Sequence, residues 1–327
     1  MTAPLGMTFN SVLADPITAY VEAKIAVGCR FASEARALRL FDRFLVAQGI
    51  TTFDAITTAV IKSFLDSRPR CNAKSYNELL GNVRRLFERM VTQQIIEVSP
   101  VRIISRREQP RRRPFLFTAT QIRQLLEFAR QLPDRNRGPR RGPAYYVIFA
   151  VLCALGLRIS EVAHLKHGDF DLERQLLWIR NTKFGKSRLV PFGPRLGAVL
   201  STHVEQSNNS SPEQPLFTFD GRHRINPNSI RRTFHYYLLP KLQLTVPPGT
   251  RSPRVHDLRH SFAVSTLLRW YRAGVNPATR LPHLSTFLGH INPSATAVYL
   301  TITEELLQAA NQRFAAFIPP LTSEVTP

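Results

Sequence analysis

The sequence has little cysteine. Its 327 residues include three cysteines, Cys29, Cys71 and Cys153, which are odd in number and far apart. This spacing predicts neither a disulfide framework nor a C-x-x-C metal site. We therefore expect reduced thiols in a cytosolic protein.

Long hydrophobic runs are also missing. The most apolar stretch, YYVIFAVLCALGL at residues 145 to 157, is shorter than the ~20 residues that cross a bilayer. The first residues, MTAPLGMTFNSVLADP, lack the basic segment and apolar run of a signal peptide. No long basic amphipathic helix favours binding to a membrane surface, so we expect no membrane partner and a buried helix at the apolar stretch.

Acidic residues are few relative to basic ones. There are 44 Lys and Arg against 23 Asp and Glu, which gives a net charge of +21 and a sequence pI near 11.0. Such an excess favours a polyanionic partner, and nucleic acid is the most common one. The length suffices for two domains, and 43% hydrophobic residues are enough for a proper core.

Apolar residues at three- and four-residue steps predict helices from about Asp15 to about Val101. The segment SRREQPRRRPF, residues 105 to 115, interrupts this period with prolines and arginines and predicts a basic linker that follows phosphates. We expect a tail at 1–14, a helical domain at 15–104, a linker at 105–114 and a second domain at 115–327. The apolar stripes of the first domain are Ile17, Tyr20, Val21 and Ile25; Leu38, Phe41 and Leu45; Ile56, Val60 and Phe64; and Leu79, Val83, Leu86 and Met90.

The second domain is predicted to be mixed. Thr118 and Gln121 form a capping box for its first helix, and RNRGPRRGP at 135 to 143 is predicted to be a basic loop. QLLWIRNTKFGKSRLVPF, residues 175 to 192, predicts a β-hairpin whose turn holds Gly185. The helical period returns after about Thr233 and persists to about Phe317. The fold class is therefore mainly α with a small β-hairpin or sheet (α+β).

The stretch SPRVHDLRHSF, residues 252 to 262, concentrates charged and titratable side chains. On a helix, His256 and Arg259 share a face and are suited to gripping an anion. His256 and His260 also have the spacing of a zinc helix, but Asp257 occupies the general-base position and a guanidinium would repel the metal. A charged surface helix is a third interpretation of this stretch taken alone. We interpret Asp257 and His260 as structural residues behind the anion grip.

Three further segments carry candidate residues. In ALGLRISEVAHL, Arg158 lies between the helix-ending Gly156 and a predicted N-cap at Ser160. Lys183 lies in the hairpin turn, with Lys186 as its competitor. In FLGHINPSATAVYL, Gly289 is predicted to end a helix, Asn292 and Pro293 to begin the next, and Tyr299 to lie about two turns into it.

Taken in order, GLRISE, TKFGKSRLVPF, HDLRH and LGH followed nine residues later by tyrosine resemble the tyrosine recombinase family, also called lambda-type integrases. The resemblance extends from about residue 15 to the C-terminus. It implies an N-terminal helical core-binding domain and a C-terminal catalytic domain that together clamp duplex DNA. It also implies a supporting role for Glu161. Carried over by motif, the catalytic set is Arg158, Lys183, His256, Arg259, His290 and Tyr299.

The residue types agree with this chemistry. Roughly 0.1% of a free tyrosine is phenolate at pH 7, so attack on a phosphodiester needs assistance. Two guanidiniums can stabilise the charge that develops on the phosphorane without a metal, and a lysine can protonate the departing 5′-oxygen. His256 and His290 are expected to donate to phosphate oxygens or to relay the tyrosine proton. No cofactor and no metal are expected.

The resemblance further implies a 3′-phosphotyrosyl intermediate, strand exchange without ATP, and a homo-tetramer assembled on double-stranded DNA from a free monomer or weak oligomer. A C-terminal helix, TITEELLQAANQRFAAFI, is expected to dock on a neighbouring protomer. The chain starts directly with the core-binding type of domain, so we expect no separate arm-site-binding domain, which favours transposon-type or resolution-type recombinases. A type IB topoisomerase-like enzyme and a catalytically silent DNA-binding relative are the alternatives. The expected location is cytoplasmic and nucleoid-associated. The arginines expected to contact DNA are Arg106, Arg107, Arg111, Arg112, Arg113, Arg140 and Arg141.

Overall fold

The structure is a computed structural model that describes residues 6–29, 31–109, 112–134, 140–180, 187–206, 211–290, 292, 294–301 and 308. The chain divides between residues 111 and 112 into two compact units. Each unit has a hydrophobic core of its own. No helix in the described part of the chain is both long and apolar enough to cross a membrane.

The first unit contains the four helices that the apolar stripes predict. They are α1 (Ala14–Ala26), α2 (Ala32–Ala47), α3 (Thr58–Asp66) and α4 (Ala73–Thr92). The apolar stripes point inward. Ile56 is also buried, although it lies just before α3 and not within it. Side chains at the N-caps of α3 and α4, Thr57 and Asn72, accept backbone N–H groups and so define where these helices begin.

Contacts within each unit extend into both ends of the predicted linker. The backbone of Arg106 exchanges two 2.8 Å hydrogen bonds with the Asn77 side chain, and its guanidinium lies 3.7 Å from the Tyr76 ring centroid. In the second unit, the backbone of Arg113 pairs with Gly249 and Arg251. Arg106 and Arg113 are therefore each held by contacts within their own unit.

The second unit is mainly helical, and most residues of its central helix, Arg141–Leu155, are buried. The predicted capping box of Thr118 and Gln121 is confirmed at the start of α5. Short 3₁₀ turns lie at His167–Asp169, Pro240–Leu242 and Val298–Thr301, and a π-helical turn at Phe234–Leu238. The α-helices are α5 (Ala119–Arg130), α6 (Arg141–Leu155), α7 (Ile159–Ala163), α8 (Pro194–Glu205), α9 (Pro227–Thr233), α10 (Val255–Arg272), α11 (Pro277–Leu288) and α12 (Ser294–Ala297).

The predicted hairpin is present and belongs to a small antiparallel sheet. Strands β2 (Leu176–Ile179) and β3 (Arg188–Pro191) pair with Leu177 opposite Val190, and β1 (Phe170–Asp171) adds a third strand beside β2. Leu177 and Val190 face the core, whereas the next pair along the ladder is exposed. The hairpin turn, with Lys183, Gly185 and Lys186, lies outside the described residues.

Gly156 allows α6 and α10 to approach closely. It ends α6 in the left-handed conformation, with φ of 57°. A Cβ atom at this position would lie 2.6 Å from the Phe262 ring of α10. Glycine is therefore required both by the helix ending and by the packing.

Three local predictions differ from the structure. Ser160 is not an N-cap, because α7 begins at Ile159 and the Glu161 side chain accepts the backbone N–H of Arg158. The basic loop expected at 135 to 143 ends earlier, since α6 begins at Arg141. Tyr299 lies in a 3₁₀ turn that follows the short helix α12. Most of the predicted C-terminal helix, beyond Thr301 and apart from Gln308, lies outside the described residues.

Candidate active site

Three arginines from different elements meet at the C-terminus of α11. The last carbonyls of a helix have no intrahelical donor and carry partial negative charge, so they attract cations. We call Arg158, Arg188 and Arg259 the arginine cluster. Each donates to one of three consecutive carbonyls, at 2.8, 2.8 and 2.7 Å: Arg158 to Gly289, Arg188 to Phe287 and Arg259 to Leu288.

Glu161 is the counterion within this cluster. Its buried carboxylate accepts hydrogen bonds from the guanidinium of Arg158 at 2.7 Å and from that of Arg188 at 2.9 and 3.1 Å. Burial opposes ionisation, but the hydrogen bonds and charges of Arg188 and Arg158 outweigh it and hold the pKa of Glu161 below its usual range. Three guanidiniums face one carboxylate, so the excess positive charge suits an anion.

Arg259 is the most enclosed member of the cluster. Arg259 is 1% exposed, and its guanidinium also donates to the carbonyl of Gly156 at 2.9 Å. Its buried Nε has no hydrogen-bond partner among the described residues. Burial and the nearby charge of Arg158 lower the pKa of Arg259 to about 10, so the group stays cationic at neutral pH.

His256 and His290 lie near the same charges. Desolvation, followed by the charge of Arg259, lowers the pKa of each imidazole to about 4, so both are neutral at pH 7. Nδ1 of His290 lies 2.7 Å from the hydroxyl of the buried Thr296. A neutral imidazole carries one N–H donor, so each ring can donate to an incoming anion.

The Tyr299 hydroxyl lies 3.1 Å from Nδ1 of His260. Tyr299 is 3% exposed, and its ring is nearly parallel to that of His290, with centroids 6.4 Å apart. Burial raises the pKa of Tyr299, while the charges of Arg259 and Arg158 act in the opposite direction. His260, interpreted from the sequence as packing behind the site, contacts the hydroxyl directly.

The sequence interpretation missed Arg188. This residue begins β3 and is mostly buried, although in the sequence it is one more basic residue after a hairpin turn. Gly289 accommodates it, because a Cβ there would lie 2.6 Å from the Arg188 guanidinium. No spacing rule separates such a residue from a surface arginine, so only the fold reveals it.

A basic cavity of about 270 Å³ opens beside His256. Its polar lining consists of Arg231, His235, Arg254 and His256, which come from α9, the π-helical turn and the start of α10. Nε of Arg254 is buried and has no hydrogen-bond partner among the described residues. The cavity therefore offers donors and positive charge to a second anionic group next to the arginine cluster.

The remaining candidate residues lie elsewhere. Arg106, Arg107, Arg112 and Arg113 are exposed, and Arg140 is exposed with its guanidinium bound to Gln206. Arg141 is buried, with its guanidinium 5.4 and 4.9 Å from the rings of Tyr145 and Tyr237, so it does not face solvent as a DNA contact must. Lys183 and Arg111 lie outside the described residues. Among the residues that are described, no group of His, Cys, Asp and Glu could hold a metal ion.

Comparison with known protein families identifies the family of this chain. The model of the phage integrase family matches residues 116–305, and the chain belongs to this family. It is similar to the integrase/recombinase y4rB of Sinorhizobium fredii, with 34% identity over 309 residues that cover 93% of this chain and 97% of that protein. It is also similar to the tyrosine recombinase XerC of Bacillus licheniformis, with 24% identity over 279 residues covering 82% and 84%. The chain is therefore an enzyme of the tyrosine recombinase class.

Solved structures show the same fold. The integrase of transposon Tn1549 in complex with transposon right end DNA superposes with a TM-score of 0.61 at 18% identity, covering 92% of this chain and 99% of that one. A lambda integrase dimer bound to a COC′ core site gives a TM-score of 0.60 at 16% identity, covering 86% and 96%. These structures show the fold, whereas the family match and the similarity to y4rB favour a recombinase over a topoisomerase-like enzyme or a silent relative.

Proposed function

We propose that this protein is a site-specific recombinase that cuts and rejoins duplex DNA through Tyr299 without a metal ion. The Tyr299 oxygen attacks the phosphorus, a 3′-phosphotyrosyl bond forms, and the 5′-hydroxyl leaves. The observation that carries the proposal is the arginine cluster beside Tyr299, held by Glu161 and the end of α11. Preorganised cations of this kind are what a phosphorane with growing negative charge requires.

Each residue of the catalytic set has a distinct task in this reaction. Arg158 and Arg259 hold the non-bridging oxygens, and His256 and His290 donate to the phosphate. Lys183, assigned by motif, protonates the 5′-oxygen as general acid. Glu161, itself held by Arg188, keeps Arg158 in place, and the carbonyls of Gly156 and Leu288 hold Arg259.

Duplex DNA is the proposed partner. The net charge of +21 favours a polyanion, and the solved transposon and lambda integrases of the same fold are bound to DNA. The basic cavity would take a phosphate that flanks the scissile one, and the helical domain at 15–104 would bind the core of the site. Its DNA contacts would include Arg106, Arg107, Arg111, Arg112, Arg113 and Arg140, whereas the buried Arg141 is left out.

A homo-tetramer on DNA is the proposed assembly, formed at the cytoplasmic nucleoid where the substrate lies. Exchange between two duplexes needs four cleaved strands and therefore four tyrosines. The C-terminal segment, with its apolar positions Leu307, Ala310, Phe314 and Phe317, would dock on a neighbouring protomer. Deleting the residues after Glu305 should leave DNA binding intact and abolish recombination. Recombination by the truncated chain would contradict docking in trans.

The test of the function uses a nicked suicide substrate that carries the cognate site or DNA from the flanking element, with EDTA present. Wild type should form a denaturation-resistant protein–DNA adduct, Tyr299→Phe should form none, and Tyr236→Phe should behave as wild type because Tyr236 is exposed. An adduct with Tyr299→Phe, or DNA binding by wild type without any adduct, would contradict the proposal.

A further inference from the structure

His260 contacts the atom that would attack the DNA. Its Nδ1 lies 3.1 Å from the Tyr299 hydroxyl, which is hydrogen-bond distance for this pair. The two rings are tilted by 59°, with centroids 5.4 Å apart. His260 follows Arg259 directly on α10, so the residue that binds the phosphate and the residue that contacts the nucleophile are neighbours.

On the other side of the ring, His260 faces a buried carboxylate. Oδ2 of Asp257 accepts the backbone N–H of Arg254 at 2.8 Å and caps α10. Oδ1 has no hydrogen bond among the described residues and lies 3.9 Å from Nε2 of His260 and 3.6 Å from the Arg254 guanidinium. Asp257 is 0% exposed, and an unsatisfied buried carboxylate oxygen is costly. A small rotation of the imidazole would satisfy it, and catalytic hydrogen bonds often tighten only when substrate binds.

We propose that Tyr299, His260 and Asp257 form a proton relay. His260 is the catalytic base for the Tyr299 hydroxyl, and Asp257 is a positioning residue that holds the imidazole. The inference rests on the proposed role of Tyr299 as nucleophile.

The relay follows from the two ring nitrogens. When Nε2–H points at Asp257, Nδ1 carries the lone pair that faces the tyrosine. During cleavage the Tyr299 oxygen bonds to phosphorus, its proton moves to Nδ1, and the bond from phosphorus to the 5′-oxygen breaks as Lys183 protonates that oxygen. During rejoining a 5′-hydroxyl attacks phosphorus and returns its proton to Lys183. The bond from phosphorus to the Tyr299 oxygen then breaks, and this oxygen recovers its proton from His260.

The charges around His260 couple this transfer to bound DNA. Burial, the neighbouring His256 and the charges of Arg251, Arg254 and Arg259 lower the pKa of His260 to about 3 in the free protein. The base is therefore neutral and ready to accept, but its imidazolium is disfavoured. A docked phosphodiester adds negative charge among the same arginines and offsets their repulsion of the imidazolium. Proton transfer is then favoured by the substrate itself.

The test measures single-turnover cleavage of the nicked substrate with EDTA. His260→Asn keeps a hydrogen-bond acceptor but cannot take the proton, and it should cleave about 100-fold more slowly or worse. Asp257→Asn retains the capping oxygen and should lose about tenfold, because an amide also stabilises the wrong tautomer. His223→Asn, at an exposed loop position, should cleave at the wild-type rate.

A chemical rescue distinguishes a base from a structural residue. A fluorinated tyrosine at position 299 has a more acidic phenol, so it should restore much of the rate in His260→Asn and Asp257→Asn but not in Arg259→Lys. A 5′-bridging phosphorothiolate releases a sulfur that needs no proton. It should relieve Lys183→Ala and leave the His260→Asn deficit unchanged.

Two sets of outcomes separate the relay from the function on which it rests. Failure of wild type to form an adduct would overturn the nucleophile role of Tyr299. Wild-type cleavage by His260→Asn, or no recovery with the fluorinated tyrosine in a folded, DNA-bound variant, would overturn the relay alone. If His260→Asn does not fold, His260→Gln replaces it in the same comparison.

Discussion

The two units differ in what they bury. Among the described residues of the first unit, the buried polar side chains are Ser11 and Asp42, and Asp42 accepts the neutral backbone N–H groups of Asn10 and Ser11 just before α1. The second unit buries Arg259 and Glu161 at the C-terminus of α11, and Asp257 at the start of α10. Burying charge costs stability unless each group is paired, and removing one partner costs more. The comparison therefore separates an apolar core that specifies the fold from the charged cluster on which the proposed reaction depends.

The largest expected effect comes from Arg259→Lys. Lysine keeps the charge but loses the planar fork that bridges the carbonyls of Gly156 and Leu288, so one phosphate donor is misplaced. Cleavage in single turnover should fall about 100- to 1000-fold. Arg269→Lys, at an exposed position of the same helix, is the matched control and should cleave normally. Equal rates for both variants would show that charge alone suffices at the cluster.

Phe41 tests how the apolar core of the first unit responds to a change of side-chain size and shape. Its ring packs 4.9 Å from that of Phe64, and Phe41→Ala should cost about 3–5 kcal/mol through the cavity it leaves. Phe41→Leu should reduce the free energy of unfolding far less than Phe41→Ala, because an apolar core tolerates a change of side-chain shape. The arginine cluster should not tolerate the loss of a planar guanidinium in the same way. Amide hydrogen exchange in α2 and α4 measures this loss. Both tryptophans, Trp178 and Trp270, lie in the second unit and report its unfolding separately.

The Phe41 comparison needs a surface control on the same helix. Val46 is 49% exposed on α2, so Val46→Ala should change exchange by about 0.5 kcal/mol or less. An effect of Val46→Ala as large as that of Phe41→Ala would contradict the assignment of the core.

Sequence patterns located the elements well where the signal is local. The stripes of the first unit and the capping box at Thr118 each depend on residues within one or two turns, and the structure contains both. The strand β1 has two residues and therefore no period to detect. The N-cap of α7 is Arg158 instead of Ser160, because the Glu161 carboxylate accepts the backbone N–H of Arg158. The preference of serine for N-cap positions does not predict this contact.

The geometry of the site depends on long-range contacts, so less of it could be predicted from the sequence. Motif order pointed to Arg158, Arg259 and Tyr299, but the meeting of arginines at α11 joins residues that are 29 to 131 positions apart. Arg188 and the contact of His260 with Tyr299 follow from the same packing. No pattern within a single helix could have indicated either.

Glu161→Gln should have an intermediate effect that depends on pH. The amide keeps the shape but not the charge that pairs with Arg158 and Arg188, so the free energy of unfolding should fall by about 1–3 kcal/mol at pH 7. Because the folded pKa of Glu161 is lowered, its contribution is present above the unfolded pKa and is lost as the pH falls through the folded pKa. Wild type and variant should therefore converge in acid, as followed by tryptophan fluorescence in urea. Glu173→Gln, at an exposed position, should show no such convergence, and a constant difference for Glu161→Gln would contradict the ion pairing.

The smallest expected effect concerns the basic cavity, where solvent and salt screen the exposed charge of Arg231. Arg231 is exposed at its rim, so Arg231→Gln should remove about one phosphate contact and weaken DNA binding by about tenfold or less, without a change in the rate of cleavage at saturation. The magnitude of the slope of log K against log salt should decrease by about 0.9, because one phosphate fewer is neutralised and its counterions are not released. Arg195→Gln on α8 removes the same charge away from the cavity and should leave the slope nearly unchanged. If both variants reduce the slope equally, the cavity contributes only to the general field of the protein, whereas a selective change extends the anion site from the arginine cluster to a flanking phosphate.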